Sequence, residues 1–156
     1  MQRRDGSSIP DDDLRHRVEQ QLETAPDIDP RRIVVSVADG IVTLAGQVRS
    51  YSEKWEAERA VEHVNGVRGI ANEIEVHSDT ARSDSDIARQ VLQALRRSLL
   101  VPTGAITVRV ENGWVVLTGE VRRAFQRRAA ERAVRNLPGV RGITNQITIR
   151  PRAQVP

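Results

Sequence analysis

The stretch Asp39-Gly40-Ile41-Val42-Thr43-Leu44-Ala45-Gly46-Gln47-Val48 returns 73 positions later as Asn112-Gly113-Trp114-Val115-Val116-Leu117-Thr118-Gly119-Glu120-Val121. At the same offset the match continues without a gap in both directions. Downstream, Ala57-Glu58-Arg59-Ala60-Val61 meets Ala130-Glu131-Arg132-Ala133-Val134, and Gly66-Val67-Arg68-Gly69-Ile70 meets Gly139-Val140-Arg141-Gly142-Ile143. Upstream, Leu14, Val18 and Leu22 meet Ile87, Val91 and Leu95. A repeat of this kind restricts the chain to two copies of one small domain, each of roughly 65–70 residues. Domains that small bury a thin core, so packing between copies would help each of them.

Within a copy, the periodicity changes from helical to extended and back. Leu14, Val18 and Leu22 make one apolar stripe at i, i+4, i+8, behind the acidic run Asp11-Asp12-Asp13, which suits a helix N-terminus. Pro26 ends that helix. Ile33-Val34-Val35-Ser36-Val37 is β-branched, and Asp39-Gly40 between two such runs predicts a hairpin. Val42 and Leu44 then share the helix-facing side with Val35 and Val37, while Ile41 and Thr43 face away. Gly46 inside the strand pattern signals a bulge or a close backbone approach.

Ser50 is a predicted N-cap with Glu53 three residues on, and Ala57, Ala60, Val61 and Val64 form the buried stripe of a second helix. Asn65-Gly66 stops it. Residues 67–76 read as a third strand, in which Asn72 shares a face with Ile70, Ile74 and Val76 and needs hydrogen-bond partners there.

The expected fold class is therefore α/β (α+β), with two tandem modules. Each is helix–strand–strand–helix–strand, with both helices on one face of a small three-stranded mixed sheet. The expected boundaries are a disordered lead-in over 1–10, a first domain over 11–77, a linker over 78–83, a second domain over 84–150 and a tail over 151–156.

Charge separates the copies. From Asp11 to Ser78 there are 8 basic and 14 acidic residues; from Asp84 to Arg152 there are 13 and 5. Either the copies have different tasks, or attract each other, or their solvated faces have drifted. The chain has no Cys, which removes disulfides and thiolate chemistry. His16, His63 and His77 are scattered, and no HExxH, P-loop, GxSxG or metal spacing accompanies them. No catalytic residue, metal site or cofactor is expected, and the chain is read as a non-enzyme. No apolar run is long enough to cross a membrane, and none follows Met1-Gln2-Arg3-Arg4. That reading gives a cytoplasmic protein, or a periplasmic one if a leader was removed.

The ordered set Gly40…Val42-Thr43-Leu44-Ala45-Gly46-Gln47-Val48…Asn65-Gly66-Val67…Asn72-Glu73-Ile74 resembles the BON domain of bacterial osmotically inducible and nodulation-related proteins. It recurs as Gly113…Val115-Val116-Leu117-Thr118-Gly119-Glu120-Val121…Leu137-Pro138-Gly139-Val140…Asn145-Gln146-Ile147. The resemblance implies a module that binds phospholipid or mediates association with membranes and envelope assemblies, often in tandem copies; with the arginines described next, the expected partner is anionic phospholipid or a membrane-associated protein.

Two surfaces are candidates for such binding. On the second copy's second helix, Arg128, Arg132 and Arg135 fall together opposite Ala130, with Phe125 beside them. Such a row could hold an anionic headgroup while Phe125 enters the interface, or it could be a solvated helix face. The matching face of the first copy carries Tyr51 and Trp55, read as exposed aromatics, with Glu58 and Glu62. The other candidate is the helix-free sheet face, with Ile41 and Thr43 in one copy and Trp114 and Val116 in the other. Packing between the two domains, a homo-oligomer, a partner or an apolar ligand could cover it.

Gly66-Val67-Arg68-Gly69 and Gly139-Val140-Arg141-Gly142 match the GxxG of RNA-clamping loops, but each leads from a helix into a strand, where a glycine stop is the simpler explanation. Nucleic acid is disfavoured, since the Arg-rich copy lacks a row of stacking aromatics.

Overall fold

The structure is a computed structural model that describes residues 9–77 and 82–151. The chain divides into two compact units, Met1–His77 and Ser78–Pro156. Unit 1 contains α1 (Asp11–Thr24), β1 (Ile33–Ala38), β2 (Ile41–Val48), α2 (Tyr51–Glu62) and β3 (Gly69–Val76). Unit 2 contains α3 (Asp84–Arg97), β4 (Ile106–Glu111), β5 (Trp114–Val121), α4 (Ala124–Arg135) and β6 (Gly142–Ile149). Of the expected lead-in, linker and tail, residues 1–8, 78–81 and 152–156 lie outside the described residues.

Each unit has a three-stranded sheet with its second strand in the middle. β1 pairs antiparallel with β2, and β2 pairs parallel with β3; β4, β5 and β6 repeat this arrangement. The mixed sheet follows from the connections. A two-residue turn can join only antiparallel neighbours, whereas α2 and α4 carry the chain back so that the last strand runs parallel. Both helices pack on one side, and the expected stripes are the ones buried. Leu14, Val18, Val42, Leu44, Ala57 and Val61 are fully enclosed in unit 1, as are Val91, Val115, Leu117, Ala130 and Val134 in unit 2. Burial of each Leu or Val contributes about 1.5–3 kcal/mol.

The hairpin turns hold both central residues at positive φ: Asp39 at 54° and Gly40 at 79°, Asn112 at 49° and Gly113 at 79°. That geometry matches the twist of the flanking strands. The helix start and the turn are joined. Asp11 accepts hydrogen bonds from the amides of Asp39 and Gly40, at 3.0 and 3.1 Å. Asp84 accepts from Asn112 and Gly113 at 2.9 and 3.0 Å. The first residue of the acidic run is therefore a clasp across the fold as well as a charge at a helix N-terminus.

Gly46 has φ 133°, and a Cβ there would collide with the Arg32 carbonyl oxygen; Gly119 stands in the same relation to Ala105. Both are close backbone approaches. Ser50 caps α2 by accepting from the Glu53 amide at 3.2 Å. In α4 the corresponding residue is Arg123, which has no acceptor. Instead Gln126 Oε1 reaches back to accept from the amides of Arg122 and Arg123, at 2.9 and 3.0 Å.

The structure differs from expectation at several edges. α2 ends at Glu62, before Asn65-Gly66, because Val64 N–H turns back to the Val61 carbonyl at 3.0 Å. The last strands begin at Gly69 and Gly142, after the turn that brings Arg68 N–H to the Gly40 carbonyl and Arg141 N–H to that of Gly113. Ile9, placed in the lead-in, is instead partly buried against the core. It immediately precedes the N-cap Pro10, where an apolar side chain fixes the chain's entry into the helix.

Candidate functional site

The residues that fill the repeated motif prove to be chiefly structural. Asn72 donates to the Lys54 carbonyl at 3.4 Å and to Glu58 Oε1 at 3.3 Å, while its own Oδ1 accepts from the Ile74 amide at 3.2 Å. Asn145 donates to the Arg127 carbonyl at 3.3 Å and accepts from Ile147 N–H at 3.1 Å. Each asparagine thus ties the second helix of its unit to the last strand, supplying the partners its half-buried amide requires. The glycines of the GxxG stretches are structural too: Gly66 and Gly139 hold positive φ at 100° and 86° in the turn out of the second helix.

The α4 flank is partly as expected. Ala129, Ala130 and Val134 face inward. Arg128 and Arg132 are exposed on the opposite side, one helical turn apart, and Phe125 is 46% exposed. Arg135 departs from the expectation: it is half-buried, with its Nε taken out of solvent, so the exposed row consists of two arginines and one phenylalanine. Arg127, beside them, donates to the Asn145 carbonyl at 3.1 Å. No acidic residue lies in the first turn of α4.

The aromatics of unit 1 differ from expectation as well. Tyr51 and Trp55 are half-buried rather than exposed, and Tyr51 packs against the core. The Arg59 guanidinium stands over the Trp55 ring, 5.0 Å from its centroid, a cation–π contact that occupies one face of the indole. This flank presents no free aromatic ring of the kind Phe125 provides.

On the side of each sheet away from its helices, Ile41 is 50% exposed and Trp114 42%, with Thr43 and Val116 half-buried between strands. Val34, on the same side of the edge strand β1, is 65% exposed. Trp114 is held in place. Its indole N–H donates to the Thr144 hydroxyl at 2.7 Å, and its ring lies across Gly142, where any Cβ would strike it.

One exposed patch has no counterpart in the expected sites. In the connection from α3 to β4, Leu99 is fully exposed and Leu100 is 49% exposed. Their signal in the sequence is the pair of leucines after Arg96-Arg97-Ser98; Leu99 continues the spacing of the buried stripe Ile87, Val91, Leu95, but the helix ends at Arg97, before it.

Among the described residues, no group of three or more His, Asp or Glu side chains is placed to hold a metal ion. Likewise, no described helix is long and apolar enough to cross a membrane.

Comparison with known proteins gives one family. The BON domain matches residues 10–78 and again 83–151. A relative, Osmotically-inducible protein Y of Escherichia coli (strain K12), is 24% identical over 148 residues, spanning 91% of this chain and 74% of that protein. Among solved structures, CdsD, a structural protein of the Type III secretion system of Chlamydia trachomatis, is similar in two determinations. Its C-terminal domain superposes with a TM-score of 0.40 at 16% identity, covering 92% of this chain and 100% of that one. The other determination gives 0.41 at 15% identity, with 90% and 93% covered. Superpositions that loose carry no functional argument.

Proposed function

The chain belongs to the BON domain family, which covers both of its halves, and from that membership we propose that it is a non-catalytic binding protein whose second unit associates with anionic phospholipid. Its similarity to an osmotically inducible protein supports a role in a stress response. The observation that carries the reading is the α4 flank, where exposed Arg128 and Arg132 accompany a phenylalanine that the core does not use. An anionic surface attracts each such arginine by about 1 kcal/mol, so binding is weak, reversible and sensitive to salt.

Co-sedimentation of the whole chain with vesicles tests this. Pelleting is expected with phosphatidylglycerol-containing vesicles at low salt, with a decline as salt rises, and none is expected with phosphatidylcholine alone. Arg128→Glu with Arg132→Glu is expected to abolish it. Unchanged pelleting by that variant would remove the flank from the site.

A second reading has its own support. Val34, Ile41 and Trp114 leave apolar surface on sheet faces that no helix of their own unit covers, and self-association would bury it. Sedimentation velocity across a hundredfold concentration range, with Trp114→Ser as the probe, distinguishes the two. A concentration-independent monomer would end this second reading.

A further inference from the structure

We infer that unit 2 meets an anionic bilayer end-on, with Leu99 and Leu100 inserted between headgroups and a collar of arginines around them; this rests on the phospholipid reading above. Asp84, the first residue of α3, is bonded to the hairpin turn at Asn112 and Gly113, which fixes the N-terminus of α3 at the turn end of the unit. Its 14 residues span about 21 Å, so its last turn lies at the opposite end. β5 starts at the turn and also finishes at that opposite end, where Arg122 and Arg123 lead into α4. The same end therefore collects Arg97, Leu99 and Leu100 at the exit from α3 and Arg122, Arg123 and Phe125 at the entry to α4, all six exposed.

The leucines are displayed on an anchored loop. Val101, the next residue, is 8% exposed, and the amides of Val101 and Ala105 turn back to the carbonyls of Ser98 and Pro102, at 3.4 and 3.3 Å. Unit 1 keeps the anchor, and Arg49 at the position of Arg122, but lacks the rest. Ile28, at the position of Val101, is 7% exposed, but Pro26 and Asp27 stand where unit 2 has Leu99 and Leu100. Ser50 and Ser52 likewise stand where it has Arg123 and Phe125. No acidic residue occurs in the last turn of α3, in residues 98–105 or in residues 122–125. Predominantly positive charge around protruding apolar side chains, with Glu120 at this end paired to Arg150 at 3.2 Å, complements a surface that is anionic outside and hydrocarbon within.

The absence of cysteine makes the test direct. Leu99→Cys labelled with an environment-sensitive fluorophore is titrated with phosphatidylglycerol vesicles, beside Asp27→Cys in the corresponding loop of unit 1. A blue shift at residue 99 and none at residue 27 is expected. Leu99→Ser with Leu100→Ser, on the full chain, is expected to lower the vesicle partition coefficient by roughly tenfold or more, given the apolar area withdrawn. Circular dichroism confirms that this variant is folded. If the wild-type chain pellets with vesicles but residue 99 shows no shift and the serine variant binds as well as wild type, end-on insertion is wrong while the phospholipid reading stands. If the wild-type chain fails to pellet at all, the phospholipid reading itself fails.

Discussion

Asp84 Oδ1 accepts the Gly113 amide at 3.0 Å, joining the first residue of a helix to a hairpin turn 29 positions away. Asp11 and Gly40 make the same contact at 3.1 Å in the other unit. A turn of this kind leaves amides pointing outward, and a carboxylate that also answers a helix N-terminus satisfies two needs at once.

Asp84→Ala removes two charge-assisted acceptors from the Asn112-Gly113 turn. Unit 2 is expected to lose about 1–3 kcal/mol, less than two ideal bonds because the site is partly solvated. Urea unfolding followed by Trp114 fluorescence, in a Trp55→Phe background so that only unit 2 reports, measures it. Asp84→Asn, which keeps one acceptor oxygen, recovers part of the loss.

Asn145 bridges α4 and β6 through its amide. Asn145→Ala leaves the Ile147 amide without its side-chain acceptor and the Arg127 carbonyl without that donor, at a cost of about 1–2 kcal/mol. Hydrogen exchange of the Ile147 amide is expected to accelerate beyond what the global loss of stability accounts for.

Gly119 holds φ 139° with the Ala105 carbonyl oxygen where a Cβ would stand. Gly119→Ala is therefore both strained and obstructed, and it is expected to destabilise unit 2 by roughly 2 kcal/mol or more. The α3–β4 connection has to shift before the sheet can close. A thermal melt that leaves unit 2 unchanged would contradict the close approach.

The Asp29 carboxyl lies below its ordinary value of 3.8, chiefly because it accepts hydrogen bonds from the Arg31 side chain and from the Arg31 amide. Because the folded value is the lower one, the contribution is fully present above about pH 3.8 and disappears as pH falls through the lowered value. A carbon-detected NMR titration is expected to give a midpoint below 3.8, returning toward it in Arg31→Ala.

Much of the fold was legible because a repeat supplies two independent readings of one pattern. Where Val42 and Leu44 alternate, Val115 and Leu117 alternate as well, and all four are fully enclosed. The candidate site was less so. Helical geometry placed Arg128, Arg132 and Arg135 on one line, but it says nothing of what lies beside that line, and Arg135 is half-buried. Trp55 is half-buried where an exposed aromatic is expected; the i, i+4 spacing makes Arg59 its neighbour but does not say whether the guanidinium settles over the ring.

What the sequence determined by itself is local: two copies, their helices and strands, the positive-φ turns, and which face of each element is apolar. These follow from side-chain periodicity and backbone sterics, which act over a few residues. Only the tertiary structure decided which distant groups meet. The grip of Asp84 on Gly113, the bridge from Asn145 to α4, and the gathering of Leu99 with Arg122 and Phe125 at one end depend on helix length, strand direction and crossover together. No window of the sequence contains all three.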